Sequence, residues 1–273
     1  MNYRHHFHAG NFADVMKHAV LLALIGAARA NGPVSVVETH AGAGLYDLDG
    51  EVARRTGEAE AGVGRLMSAG VLPAPLDALR QAVRLQNPQG GLRFYPGSPL
   101  VALGALGAGD RYAGCELRQD DADALATLLH ARANGAVATA MTADGYAALG
   151  RLLTGADLVL IDPPFERDDD YDRAAEAVRL CLARGAGVAV WAPIKDLETL
   201  DAMVRRIEAL SPARLHLAEV RLRPLTNPMT LNGSAMLLVD TPDMAAEADA
   251  VCAWVAAHCG GKGAHGGVTR LIG

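Results

Sequence analysis

A chain of 273 residues with 51% hydrophobic and 21% charged side chains is long enough to bury a sizeable core and too apolar for wholesale disorder. Its net charge of −6 argues against a uniformly basic surface, yet the charge is uneven: residues 1–46 carry three basic and two acidic side chains, residues 47–94 six of each, and the remainder sixteen against twenty-three. No run reaches the roughly 20 apolar residues of a membrane span, the opening MNYRHHFHAGN lacks the apolar stretch of a secretory signal, and Cys115, Cys181, Cys252 and Cys259 form no C-x-x-C pair. A cytoplasmic protein with reduced thiols, no membrane partner and no structural zinc is expected. With only 4% aromatic residues, the core has to be built mainly from Ala, Val and Leu. Arg outnumbers Lys 22 to 3, which suits planar phosphate and base contacts, although genome composition produces the same bias.

In chain order, a helix is predicted over 12–30 and an apolar strand over 33–38. Residues 47–94 hold two helical segments, 57–69 and 74–86, punctuated by Pro73, Pro75 and Asn87-Pro88, with no strand before Arg93-Phe94-Tyr95. They read as an inserted helical subdomain between 1–46 and 95–273, the two parts of a larger domain. From residue 95 strands and helices alternate, with helices over 98–107, 119–132, 169–183, 196–210 and 243–258 and strands over 111–116, 136–141, 157–161, 186–191, 213–221 and 234–239. Ser98-Pro99 reads as an N-cap followed by the first helical residue. The connection 222–233 is too short for a crossover helix, so the last two strands are expected to pair antiparallel. The Gly- and His-rich residues 259–267 read as a mobile end. The result is an α/β, Rossmann-like sheet of seven strands, mostly parallel with an antiparallel last strand. That order suggests a class I methyltransferase more than a dehydrogenase, and propensity alone does not separate the two.

Three runs carry chemistry. Glu38-Thr39-His40-Ala41-Gly42-Ala43-Gly44 follows the first strand, where a glycine turn lets backbone amides approach a ligand, though the third glycine of a dinucleotide fingerprint is missing. Glu116 ends the second strand, where a carboxylate can accept from both ribose hydroxyls of an adenosyl ligand, and Asp144-Gly145 follows the third, where an Asp can accept from the adenine amino group. Asp162-Pro163-Pro164-Phe165 follows the strand Leu158-Val159-Leu160-Ile161. Its prolines stiffen the backbone, leaving the Asp162 carboxylate and the Pro163 carbonyl as acceptors for the two N–H groups of an exocyclic amine. Phe165 offers a face for an extracted base. A nicotinamide dehydrogenase would use Glu116 in the same way but explains neither Asp162–Phe165 nor the missing glycine. A non-catalytic RNA-binding module would not need so complete a cofactor constellation. His5, His6, His8 and His18 invite a metal reading, but their spacing matches no standard zinc site and no metal is expected.

The Asp-Pro-Pro-aromatic run after strand four, with the glycine loop after strand one, resembles amino-directed N-methyltransferases that use S-adenosylmethionine. More narrowly, Tyr3-Arg4-His5-His6-Phe7-His8-Ala9-Gly10-Asn11-Phe12-Ala13-Asp14-Val15-Met16-Lys17-His18, Thr39-His40-Ala41-Gly42-Ala43-Gly44 and Tyr95-Pro96-Gly97-Ser98-Pro99-Leu100 resemble the large-subunit ribosomal RNA methyltransferase J family. That resemblance implies methylation of N6 of a single adenine, position 2030, in 23S ribosomal RNA. It implies S-adenosylmethionine as cofactor, held by Lys17, His18, His40, Ser98, Glu116, Asp144, Gly145 and Asp162. Asp162 would be the catalytic residue, and Tyr3, Pro163 and Phe165 would meet the substrate. A monomer acting on 23S ribosomal RNA is the expected assembly. Two residues depart from the family pattern: Phe165 stands for the more common Tyr, and Glu38 for Asp. The motif alone also permits other amines, such as DNA adenine, cytosine or a protein glutamine amide. Arg4, Lys17, Arg54, Arg55, Arg65, Arg80, Arg84, Arg221 and Arg223 are the candidate phosphate contacts.

Overall fold

The computed structural model describes residues 8–50, 57–132, 134–155, 157–167, 169–225, 227 and 230–273. Helix α1 (Phe12–Arg29) begins at Asn11, whose side chain accepts from the Asp14 amide as an N-cap. Nearly every residue of its first half is buried, so this helix runs through the interior and carries its polar side chains with it. It leads into β1 (Ser35–Glu38), fully buried and parallel to β4 (Arg111–Glu116) on one side and β6 (Asp157–Ile161) on the other.

The main sheet has eight strands in the order β10-β8-β9-β7-β6-β1-β4-β5, with β5 (Val137–Thr142), β7 (Gly187–Ile194), β8 (Leu215–Arg221), β9 (Gly233–Val239) and β10 (His265–Ile272) completing it. β9 is antiparallel to both β7 and β8, as the short connection required. The eighth strand is a correction to the expected seven. The tail read as mobile enters β10, which pairs antiparallel with β8 from His265 onward. Its glycines serve close packing: a Cβ on Gly266 would stand 2.4 Å from the Cys252 carbonyl oxygen.

The chain from β1 proceeds to β4 and β5 on one side, then crosses to β6 and β7 on the other. The switch point therefore lies between β1 and β6, and open α/β sheets bind ligands outside the strand carboxyl ends at such a point. Around the sheet lie α4 (Ser98–Ala105), α5 (Gln119–Ala131), α6 (Gly145–Leu152), α7 (Asp170–Leu182), α8 (Leu197–Glu208) and α9 (Ala245–Cys259).

The insertion starts and ends in a two-stranded antiparallel ribbon, β2 (Leu45–Asp47) against β3 (Phe94–Pro96); the run Arg93-Phe94-Tyr95 marks the second strand in the sequence, whereas β2, three residues long, went unread. Between them a π-helical turn, Glu60–Gly64, runs into the short helix α2 (Arg65–Ser68), followed by α3 (Ala74–Gln86). Val63, Leu66, Leu76, Leu79 and Val83 share one apolar core with α1 and α9. Among the described residues, no helix is long and apolar enough to cross a membrane.

Candidate active site

The carboxyl ends of β1, β4, β5, β6 and β7, with the start of α1, surround a cleft of about 810 Å³. Lys17, His18, His40, Ser98, Glu116, Asp144, Gly145, Asp162, Pro163 and Phe165 all line it. The structure therefore brings together every site residue named from the sequence except Tyr3, which lies outside the described residues along with Arg4, His5, His6, Arg54 and Arg55.

Spacing of three and four residues places Lys17 and His18 on the same side of α1 as Asp14. Lys17 Nζ stands 2.9 Å from Asp14 Oδ1 and 2.6 Å from Asp162 Oδ2, with side-chain exposures of 5%, 3% and 15% respectively. Burial by itself would lower the Lys17 pKa, but the two carboxylates outweigh it and hold the ammonium well above its ordinary value. Asp14 also accepts from the Gly10 amide at 3.0 Å. His18 is buried, with Nδ1 2.8 Å from the Tyr95 hydroxyl and its ring stacked on the Tyr95 ring. Asp14 lines the cleft and was not singled out from the sequence; its i, i+3 spacing to Lys17 was the available signal.

Glu38, at the end of β1, is fully buried and accepts from the Ser98 hydroxyl at 2.7 Å. Ser98 is therefore not the N-cap of α4: Gly97 holds that position, and the hydroxyl turns instead to Glu38. Burial pushes the Glu38 carboxyl up to about 8, and nearby Asp162 adds to the shift against the opposing Ser98 and Lys17 contacts. What Glu38 preserves from the family pattern is thus a carboxyl group more than a charge. A group whose folded pKa lies above its unfolded value stabilises the fold at low pH, and that contribution fades between about 4.5 and 8. The melting temperature of Glu38→Gln relative to the parent should accordingly improve as pH is raised from 5 to 9. A difference that does not vary with pH would contradict a protonated Glu38.

Glu116 ends β4 and is oriented by backbone: Oε2 accepts from the Gly42 amide at 3.0 Å and Oε1 from the Arg118 amide at 2.8 Å. One acceptor position on each oxygen is left for a ligand, which suits a pair of hydroxyls. His40 Nδ1 lies 2.8 Å from Thr39 Oγ1, and its ring meets Tyr146 edge-on. Burial lowers its pKa, favouring the neutral imidazole. Asp144 proves to be the N-cap of α6, accepting from the Tyr146 and Ala147 amides, while its second oxygen accepts from Arg173 at 2.6 Å. One position on that second oxygen remains for the adenine contact read from the sequence. Gly145 is required by packing, since a Cβ there would lie 2.0 Å from the Thr39 carbonyl oxygen.

Phe165, at the end of the Asp-Pro-Pro-Phe run, adopts φ +49°, a left-handed conformation rare for an aromatic residue. The residue is 8% exposed, and its ring packs on Tyr171 and Trp191, with centroids 4.4 and 5.9 Å away. The open stacking face expected of Phe165 is therefore mostly covered. Trp191, on β7, lines the cleft beside it and has Lys17 Nζ 5.6 Å from its ring centroid. Arg80, named as a phosphate contact, is spent internally: it pairs with Asp77 and donates to the Ala69 and Gly70 carbonyls, tying α2 to α3. Arg221 pairs with Glu219, whereas Arg65, Arg84 and Arg223 are exposed.

The profile of the family described as ribosomal RNA large subunit methyltransferase D, RlmJ, matches residues 31–270. The chain is 34% identical to ribosomal RNA large subunit methyltransferase J of Escherichia coli over 248 residues, covering 89% of this chain and 88% of that one. It is 30% identical to the Haemophilus influenzae protein of the same name over 249 residues, with the same coverage. A crystal structure of a Legionella pneumophila protein superposes with a TM-score of 0.86 at 25% identity, over 96% of this chain and 98% of that one. The chain belongs to the ribosomal RNA large subunit methyltransferase J family.

Proposed function

We propose that this protein transfers a methyl group from S-adenosylmethionine to N6 of a single adenine, position 2030, in 23S ribosomal RNA. The observation that carries the reading is the Asp162 carboxylate, held at the sheet switch point by a buried lysine and followed by the cleft-lining Pro163, in a chain of this family. The residues present suit the cofactor: Glu116 offers acceptor positions to ribose hydroxyls, Asp144 keeps one for an adenine amino group, and His40 lines the same cleft. S-adenosylmethionine supplies an electrophilic methyl group on a sulfonium.

The N6 lone pair of adenine is delocalised into the ring, so the amine is a weak nucleophile. The Asp162 carboxylate and the Pro163 carbonyl would accept its two N–H groups, turn the lone pair towards the methyl and stabilise the positive charge that develops. Lys17 fixes the orientation of Asp162 through a 2.6 Å contact. A base in a stem must be flipped out, at a cost of about a few kcal/mol. Phosphate contacts would supply that energy, and we place them on the N-terminal segment and the exposed arginines of residues 47–94. The insertion sits beside the cleft mouth, where Glu58 holds His8 at 2.9 Å and Asn11 at 3.2 Å, and both of these line the cleft.

Glu116→Ala removes a charge-assisted contact and should weaken S-adenosylmethionine binding by roughly 10- to 100-fold in calorimetry. Unchanged affinity would move the ribose contact elsewhere. For the substrate, mass spectrometry of ribosomal RNA from a strain lacking this protein should show one N6-methyladenosine lost from 23S RNA, and an unaltered methylation pattern would refute the assignment.

A further inference from the structure

The exit of β7 is a second wall of the cleft that the methyl-transfer reading does not use. Trp191 and Pro193 alternate along β7 and so share one face, Lys195 follows at the bend just past the strand end, and all three line the cleft. Ile161 of β6 is in register with Val190 of β7, which puts Trp191 beside Asp162 on the neighbouring strand. Trp191 is anchored by its Nε1–H, which donates to the Ser234 hydroxyl at 2.9 Å, leaving the ring partly open to the cleft. Lys195 lies four residues further, one past the end of β7, and is exposed.

Charge pairing singles out that lysine. Lys17 is matched by Asp14 and Asp162, Arg118 by Asp120 and Asp121, Arg167 by Asp169, and Arg173 by Asp144. Among the described residues lining the cleft, Lys195 alone of the lysines and arginines has no carboxylate partner. Its neighbour Asp196 is turned away to cap α8, accepting from the amide and hydroxyl of Thr199. An unmatched cation at the mouth of a cleft whose other cations are neutralised calls for an anion from outside, and an aromatic ring level with the amine acceptors calls for a base.

We infer that this face is the target-nucleotide wall: Trp191 packs against the base presented to Asp162, and Lys195 takes a phosphate of the same or the adjoining nucleotide. The inference rests on an RNA substrate as proposed above. Lys195→Ala should raise the KM for a 23S ribosomal RNA transcript several-fold while kcat and S-adenosylmethionine affinity stay near the parent's. The slope of log affinity against log salt should become shallower by about 0.7 to 0.9, the value of one phosphate contact, and Lys195→Arg should restore both. Parent-like KM and slope would remove Lys195 from the wall. Trp191 is read separately in a Trp254→Phe protein, where it is the remaining tryptophan. Adenosine 5′-monophosphate should quench its fluorescence saturably, and Lys195→Ala should weaken that titration several-fold; absence of quenching would overturn the base contact. If the parent transfers no methyl group to the transcript, the functional reading fails, and the fluorescence titration then decides the nucleotide wall by itself.

Discussion

Asp162→Ala should lower methyl transfer at least about a hundredfold, the scale on which losing one oriented electrostatic partner acts, with S-adenosylmethionine affinity changed much less. The side chain is the acceptor nearest Lys17 and follows the stiff exit of β6, so its removal leaves the Pro163 carbonyl with half of the amine. Single-turnover rates with saturating RNA isolate this chemical step. A rate within a few-fold of the parent's would show that the amine is not held there. Asp162→Asn is informative beside it, because the amide keeps an acceptor oxygen but loses the charge.

Lys17→Met should damage both fold and activity. The ammonium lies between two carboxylates in a site where all three side chains are at most 15% exposed, so the substitution takes away the buried charge that Asp14 and Asp162 share. Breaking a buried pair on one side costs about 3–5 kcal/mol, to be read as a fall in unfolding free energy by urea titration at pH 7. Combining Lys17→Met with Asp14→Asn and Asp162→Asn should recover much of that loss, since the two carboxylate charges that faced the ammonium are gone, but not the activity. A single Lys17→Met variant as stable as the parent would mean that solvent reaches these carboxylates far more readily than the packing of α1 allows.

The parts of the site that were legible in the sequence are local ones. A strand, its terminating residues and the turn that follows are contiguous in the chain, so the glycine loop, Glu116 and Asp162–Phe165 could be placed at strand ends by periodicity and punctuation. What could not be read is the chemistry made by residues far apart. Lys17 and Asp162 are 145 positions apart, and only the fold brings them into contact. Ser98 looked like an N-cap because it precedes a proline, but an N-cap competes with any buried acceptor nearby, and Glu38 wins the hydroxyl. Helix α6 escaped notice because it is eight residues long and holds two glycines, although Asp144 was a capping signal in plain view. β10 was misread because glycine and histidine suggest mobility where here glycine permits a strand to lie against α9. The cover over Phe165 follows from the left-handed turn of its backbone, which no side-chain pattern announces.

The central claim is that the Asp162 cleft methylates an adenine amine in ribosomal RNA. Purified protein incubated with S-adenosylmethionine and a 23S ribosomal RNA transcript, followed by nucleoside mass spectrometry of the digested RNA, tests it most directly. One N6-methyladenosine per transcript, confined to the fragment containing position 2030 and absent with Asp162→Ala, is the predicted result. Methylation of a different nucleoside, or N6-methyladenosine formed equally well by Asp162→Ala, would contradict it.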